Sequence, residues 1–314
     1  MAAMTGSVKA GQRSKGDAAL KEAEKCLKAP KGFFEKMMWK PDRIKAASKF
    51  AEAGNAFASG GAKDLAVMAL NRAADEYSKN NLYYQAAQHA AKGAALYETQ
   101  KELWTRAAEF WTLAGEARQA TDTLARGAKK LEMSNAKFAS ELHLLVLEAA
   151  ADVNHTEEVA NKAFLWIACH DNDIPKALEK YPLLIKTMGA LDDDHPSRLR
   201  AQSARVLLTL MQRGVDITDD DVKKADAVFL EEINKNQKYA ASDQAQTADD
   251  ILSALRTKDE DALELAMQPR HLGNLDFQLA QLCKTRIRLP IPIEDDDNAT
   301  TTNIEDDDHL PDLS

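Results

Sequence analysis

The side chains that carry most enzyme chemistry are present in this chain but not gathered into known patterns. Seven histidines stand at 89, 143, 155, 170, 195, 271 and 309. None has the spacing with which a helix or loop presents metal ligands, so each reads as a surface or core imidazole. Cys26, Cys169 and Cys283 are odd in number, far apart and never in a CxxC pair, which predicts a reduced, intracellular chain. There is no GxxxxGK[ST], no GxGxxG after a strand, no HExxH and no GxSxG. The plentiful carboxylates fall on helix faces and in the tail. The chain therefore reads as a non-enzyme with no metal and no cofactor.

Two segments carry a chemistry of contact instead. The run from Gly32 to Pro41 gathers Phe33, Phe34, Met37, Met38 and Trp39 among Lys31, Lys36 and Lys40. Aromatic residues flanked by lysines suit the boundary of an anionic bilayer. Fully burying one Phe is worth roughly 1.5–3 kcal/mol and each nearby Lys about 1 kcal/mol at an anionic surface, so a weak, reversible membrane contact is expected. For Met37, Met38 and Trp39, packing back onto the neighbouring helices remains an equal alternative. The second segment is the C-terminal end, where Asp306, Asp307, Asp308 and Asp312 surround Leu310 and Leu313. An acidic stretch with apolar anchors can dock on a basic partner surface.

Charge is distributed to match. Residues 290–314 hold nine acidic residues and no Lys or Arg, which leaves residues 1–289 balanced at 41 against 41. Residues 1–50 hold twelve Lys/Arg against five Asp/Glu. Opposite charge at opposite ends implies different partners there, and no nucleic-acid partner is expected. No signal-peptide pattern opens the chain, and its longest uninterrupted apolar run, Ala163 to Cys169, falls far short of the roughly 18 residues of a membrane span. A cytoplasmic protein peripherally associated with membranes is the resulting expectation.

With 314 residues, only 13 Gly and 9 Pro, the chain lacks the turn residues of an all-β fold and reads as all-α. Residues 1–16, without periodicity and with Gly6, Gly11 and Gly16, read as a disordered basic arm. A short helix with Asp17 as N-cap follows and stops before Pro30. Phe50, Ala53-Gly54, Phe57, Ala66, Leu70 and Ala73 then set large and small residues at tetratricopeptide spacings, the signature of a helix hairpin. A second unit has Gly93-Ala94, Tyr97, Ala107, Trp111 and Ala114, and a weaker third has Leu124, Gly127-Ala128 and Leu131. Further amphipathic segments run near 157–169 and 175–188. The 191–197 stretch reads as a linker with a helix starting at Pro196 or Ser197. This divides the chain into a hairpin-repeat domain over 17–190, bearing the contact loop 30–41, a C-terminal helical bundle over 195–289 with an apolar stripe at Leu272, Leu275, Leu279 and Leu282, and a disordered acidic tail over 290–314.

The sequence "WKPDRIKAASKFAEAGNAF" at 39–57, the preceding Gly32-Phe33-Phe34 and the closing "LDFQLAQLCKTRIR" at 275–288 resemble the soluble NSF attachment proteins, nearest their gamma type. The resemblance implies a twisted sheet of helix hairpins with a C-terminal bundle. It implies an adaptor that binds the four-helix SNARE bundle and recruits the hexameric AAA ATPase NSF, which disassembles the bundle in vesicle traffic. On that basis Asp306, Asp307, Asp308, Asp312 and Leu313 would contact the ATPase, and Arg126, Lys129 and Lys130 would face the SNAREs. The tail is longer than the family's usual acidic end, and Pro311 and Ser314 flank its leucine. A tetratricopeptide scaffold binding short peptides, as cochaperones do, is the alternative, and it would need a carboxylate clamp of Lys/Arg that the repeats do not display. A helical-repeat enzyme such as a prenyltransferase subunit would need metal ligands.

Overall fold

The computed structural model describes residues 2–30, 39–97, 100–170, 172–214 and 217–289. Among these residues there are sixteen α-helices and no strand. The first nine are α1 (Ala2–Leu27), α2 (Arg43–Ser59), α3 (Lys63–Ser78), α4 (Tyr83–Leu96), α5 (Lys101–Leu113), α6 (Ala117–Leu131), α7 (Ala136–Ala150), α8 (Glu157–Cys169) and α9 (Ile174–Thr187). Each packs on its neighbours in sequence, the pattern of a helical-hairpin solenoid. The chain then continues into α10 (Pro196–Leu210), α11 (Asp219–Lys235), α12 (Gln237–Ala240), α13 (Asp243–Thr257), α14 (Glu260–Ala266), α15 (Pro269–Leu272) and α16 (Phe277–Arg286). No helix among the described residues is long and apolar enough to cross a membrane.

The first hairpin shows how residue size sets helix spacing. Asp42 caps α2 by accepting a hydrogen bond from the Lys45 amide at 3.0 Å, and Gly61, at φ +73°, lets the chain reverse into α3. Phe50, Phe57, Ala66, Leu70 and Ala73 are all buried. A Cβ on Gly54 would lie 2.6 Å from Leu70 Cγ, so α2 and α3 can approach this closely only because residue 54 has no side chain. The same size code buries Ala94, Ala107, Trp111, Leu124, Ala128 and Leu131 in the following hairpins.

The N-terminus differs from the sequence expectation. Instead of an arm through residue 16 and a new helix capped by Asp17, one helix runs unbroken from Ala2 to Leu27. Its order comes from tertiary contact, which hydropathy periodicity does not report. Gly16 lies flat against Phe57, whose ring would stand 2.7 Å from an added Cβ, and the Arg13 Nε donates to the Gly60 carbonyl at 3.0 Å. Ala19 and Ala23 complete the buried seam.

At the other end, α10 starts at Pro196, which fills the first helical position. The Leu272, Leu275, Leu279 and Leu282 stripe is buried as expected, but it is not one helix face: Leu272 ends α15, Leu275 lies in the connecting segment, and Leu279 and Leu282 are on α16. The largest buried apolar cluster runs from Ala74 to Ile287, so one core passes continuously across the 191–197 segment. Within it α8 is nearly encased: Phe164, Leu165, Trp166 and Ile167 are all buried, with α7 and α9 on its flanks and α16 across it.

Candidate partner-binding site

Among the hairpin helices after α1, α6 carries the most basic residues: Arg118, Arg126, Lys129 and Lys130. Its inner face buries Ala120, Leu124, Gly127, Ala128 and Leu131, which by helical phase turns Gln119, Asp122, Arg126 and Lys129 outward. Lys129 and Lys130 occupy the last turn, where a cation complements the negative end of the helix dipole. Together with Glu132, His143 and the α8 side chain Lys162, the outward face of α6 encloses a hollow of about 510 Å³. The structure thus brings Arg126 and Lys129 into one concavity and adds Lys162. Lys130 is exposed on the same helix but does not line it.

On one wall of this hollow lies a small aromatic stack. The His143 imidazole is stacked on Trp166 with centroids 4.8 Å apart, and Trp166 in turn on His170 at 6.0 Å. Burial, aided by the charge of His170, drives the His143 pKa from its ordinary 6.5 down to about 4. His143 is therefore neutral at pH 7. Its Nε2 lies 3.1 Å from the Glu132 carboxylate, which assigns the proton to that nitrogen and leaves Nδ1 as a buried acceptor with no partner. Burial also pushes the Glu132 carboxyl up. His143 is thus a core imidazole with one unpartnered nitrogen, and the half-buried His89 likewise leaves its Nδ1 without a partner.

A titration prediction follows from this geometry. Because the folded pKa of His143 is below the unfolded one, the unfolded chain binds the extra proton first, and stability falls as pH drops from about 6.5 towards 4. The shift corresponds to at most about 3 kcal/mol, reduced by whatever attraction the Glu132 carboxylate offers the imidazolium. His143→Gln should flatten the stability profile over that window in urea titrations at stepped pH. An unchanged slope would place the acid sensitivity elsewhere.

Burial pushes the Cys169 thiol up to about 12 and the Cys283 thiol higher still, so neither supplies a thiolate at neutral pH. Among the described residues no group of His, Cys, Asp and Glu side chains could hold a metal ion. The hollow is lined by the cations Arg126, Lys129 and Lys162, the carboxylates Asp122 and Glu132 and the apolar side chains Ala125 and Val159, with Lys162 paired to Glu158 at 2.6 Å.

Of the residues singled out in the sequence for membrane contact, Trp39 is half-buried. Phe33, Phe34, Met37 and Met38 lie outside the described residues, as do Asp306, Asp307, Asp308, Asp312 and Leu313 of the tail. Lys162, Glu132 and His143 were not found by sequence reasoning. Glu132 follows directly on α6 as its C-cap residue, whereas His143 and Lys162 meet Arg126 and Lys129 only because α7 and α8 pack beside α6, and no single helix carries a signal of that.

No family model matches the chain. It is 23% identical over 290 residues to a gamma-soluble NSF attachment protein of Dictyostelium discoideum, covering 90% of this chain and 85% of that protein. It is 23% identical over 259 residues to one of Arabidopsis thaliana, covering 78% of this chain and 84% of that protein.

Proposed function

We propose that this chain, a homologue of the gamma-soluble NSF attachment proteins and by that similarity assigned to the soluble NSF attachment protein family, is a non-enzymatic adaptor. It binds the SNARE four-helix bundle and recruits the NSF-type AAA ATPase hexamer for SNARE disassembly in vesicle traffic. The observation that carries this reading is the reach of the similarity: it extends over 78–90% of the chain, well beyond any single hairpin of generic repeat character. The cationic hollow beside α6 supports it, since a SNARE bundle offers acidic side chains on a rigid helical surface.

In this reading three modest contacts act together. Exposed ion pairs contribute only about 0–1 kcal/mol each, so Arg126, Lys129 and Lys130 steer and orient the bundle more than they hold it. The Phe33/Phe34 loop adds a weak hold on an anionic membrane, on whose cytoplasmic face the protein acts peripherally. Asp306, Asp307, Asp308 and Asp312 attract the ATPase within a Debye length of about 8 Å, and Leu313 supplies the short-range anchor. Linking such contacts multiplies their effect.

Co-sedimentation of the chain with assembled SNARE bundles and NSF in a non-hydrolysable nucleotide tests the proposal. A ternary complex is expected. Arg126→Glu/Lys129→Glu should weaken SNARE binding roughly tenfold, and Leu313→Ala should lower ATPase stimulation with SNARE binding intact. Phe33→Ser/Phe34→Ser should lose disassembly of liposome-anchored SNAREs while keeping it in detergent. Failure of the chain to pellet with SNARE bundles under any of these conditions would overturn the adaptor assignment.

A further inference from the structure

An open groove of about 270 Å³ runs between α5 and α7, on the side of α6 turned away from Arg126 and Lys129. Ala120 and Leu124 of α6 form its floor, and Ala108, Leu145 and Ala149 line its sides. The two wall helices are tied at one end by the ion pair of Lys101 with Glu141, and the Lys101 ammonium also lies 5.4 Å from the centroid of the Phe138 ring. Above the apolar floor stand two carboxylates, Glu109 of α5 and Glu148 of α7. Glu148 has only Lys180 near it, at 3.7 Å. Glu109 is exposed, and its side chain makes no ion pair or hydrogen bond among the described residues. The same is true of Glu102, seven residues earlier and so on the same face of α5. Leu113, one turn beyond Glu109, is 59% exposed.

The polar atoms of the groove decide what kind of backbone it accepts. Thr105 Oγ1 donates to the Lys101 carbonyl at 3.2 Å and Thr112 Oγ1 to the Ala108 carbonyl at 3.1 Å, so both hydroxyl protons are spent on the preceding turn of α5. The lining then holds no free donor for the carbonyls of an extended main chain, which would lose water on the apolar floor without a replacement. A helix brings its own hydrogen bonds into such a groove. The unpaired carboxylates on the rim select cations. We propose that the α5/α7 groove docks an amphipathic helix of a partner protein, one that lays apolar residues on the floor and carries Lys or Arg seven residues apart. That spacing spans about 10.5 Å along a helix and matches Glu102 and Glu109, while Glu148 takes a cation on the other edge. The acidic rim repels the chain's own tail, with nine acidic residues and no Lys or Arg over 290–314. It also repels an acidic helix of the kind drawn to the cations of α6, so the two faces of the repeats take different partners. The proposal is independent of the adaptor assignment, since it uses neither the outward face of α6 nor the tail.

The test is fluorescence anisotropy of a fluorescein-labelled, end-blocked peptide, Lys-Ala-Gln-Leu-Ala-Gln-Ala-Lys-Ala-Gln-Leu-Ala-Gln-Ala-Lys, titrated with the full chain. Its lysines recur every seven residues with the leucines between them on the same face. Saturable binding is expected. The surface double variant Glu109→Gln/Glu148→Gln should weaken it roughly tenfold. Three changes to the peptide should do the same: proline for the Ala before the central Lys, which breaks the helix, Gln for both Leu, which empties the floor, and Glu for all three Lys. Deleting 290–314 should leave the affinity unchanged. Absence of saturation, or equal affinity for the double variant, the proline peptide or the Gln peptide, would each overturn the proposal. Loss of binding on tail deletion would also overturn it, by making the acidic tail the site that holds the lysines.

Discussion

Arg205→Met is expected to destabilise the chain by about 3–5 kcal/mol, the cost of leaving a buried carboxylate without its partner. Arg205 on α10 pairs with Glu232 on α11, whose side chain is only 4% exposed, and with the more exposed Glu231 at 2.9 Å. Gln202 Nε2 donates to the other Glu232 oxygen at 2.9 Å. Asn236 Nδ2 donates to Gln202 Oε1 at 2.9 Å and to the Asp193 carbonyl at 2.8 Å. The guanidinium also stands 5.2 Å from the centroid of the Tyr181 ring on α9. One network therefore ties the end of the hairpin repeats, the 191–195 turn and the C-terminal helices together. Urea unfolding should show the loss, and Glu232→Gln in the Arg205→Met background should recover part of it by removing the stranded charge. Strictly additive effects of the two substitutions would mean that the pair does not interact. The same experiment tests the division at 191–197. With one core crossing it, Arg205→Met should shift a single transition. A split into two transitions, the earlier helices retaining their midpoint, would make 17–190 and 195–289 separate domains.

How much of this was legible in the sequence depended on which forces wrote it. Hairpins whose helices touch through paired small and large residues were readable, because Phe50, Gly54, Phe57, Leu70 and Ala73 report both helical phase and helix spacing. The helix at 157–169 was readable from its amphipathic phase and the start of α10 from Pro196 itself. The first half of α1 was not, since it is held by Gly16 and Arg13 meeting residues about forty positions away, and glycines within a polar stretch look alike whether they are free or packed. The site was readable only in part. Arg126, Lys129 and Lys130 came only from the family resemblance, but the hollow needs His143 and Lys162 from two more helices, and the pairing of Asn161 with Asp276 spans 115 positions. Side chains brought together over such separations leave no trace in local pattern.

Gly127→Ala and Gly11→Ala are expected to move stability in opposite directions, although each exchanges a helical glycine for the best helix former. Alanine is favoured over glycine inside a helix by about 1 kcal/mol, and where space is free that gain is realised. Gly11 on α1 is exposed with no atom within 4 Å of an added Cβ, so Gly11→Ala should raise the melting temperature slightly. At Gly127 the Cβ would lie 2.5 Å from Trp104 Cγ and 2.8 Å from its Cβ. Those atoms sit at the root of a buried indole and cannot swing aside as the tip of a flexible side chain could. Either α6 lifts off α5 or the indole leaves its rotamer, and overpacking of this kind costs about 1–3 kcal/mol, enough to outweigh the helix-propensity gain. Trp104→Leu should cost much less in the Gly127→Ala background than alone, because the smaller side chain relieves the clash. Thermal melts of the four variants decide both points. A neutral Gly11→Ala would restore the reading of residues 1–16 as an unstructured arm, where backbone propensity has nothing to act on. A stabilising Gly127→Ala would mean that α5 and α6 are not pressed together at Trp104, and that the face carrying Arg126 and Lys129 is not held rigidly by the hairpin beneath it.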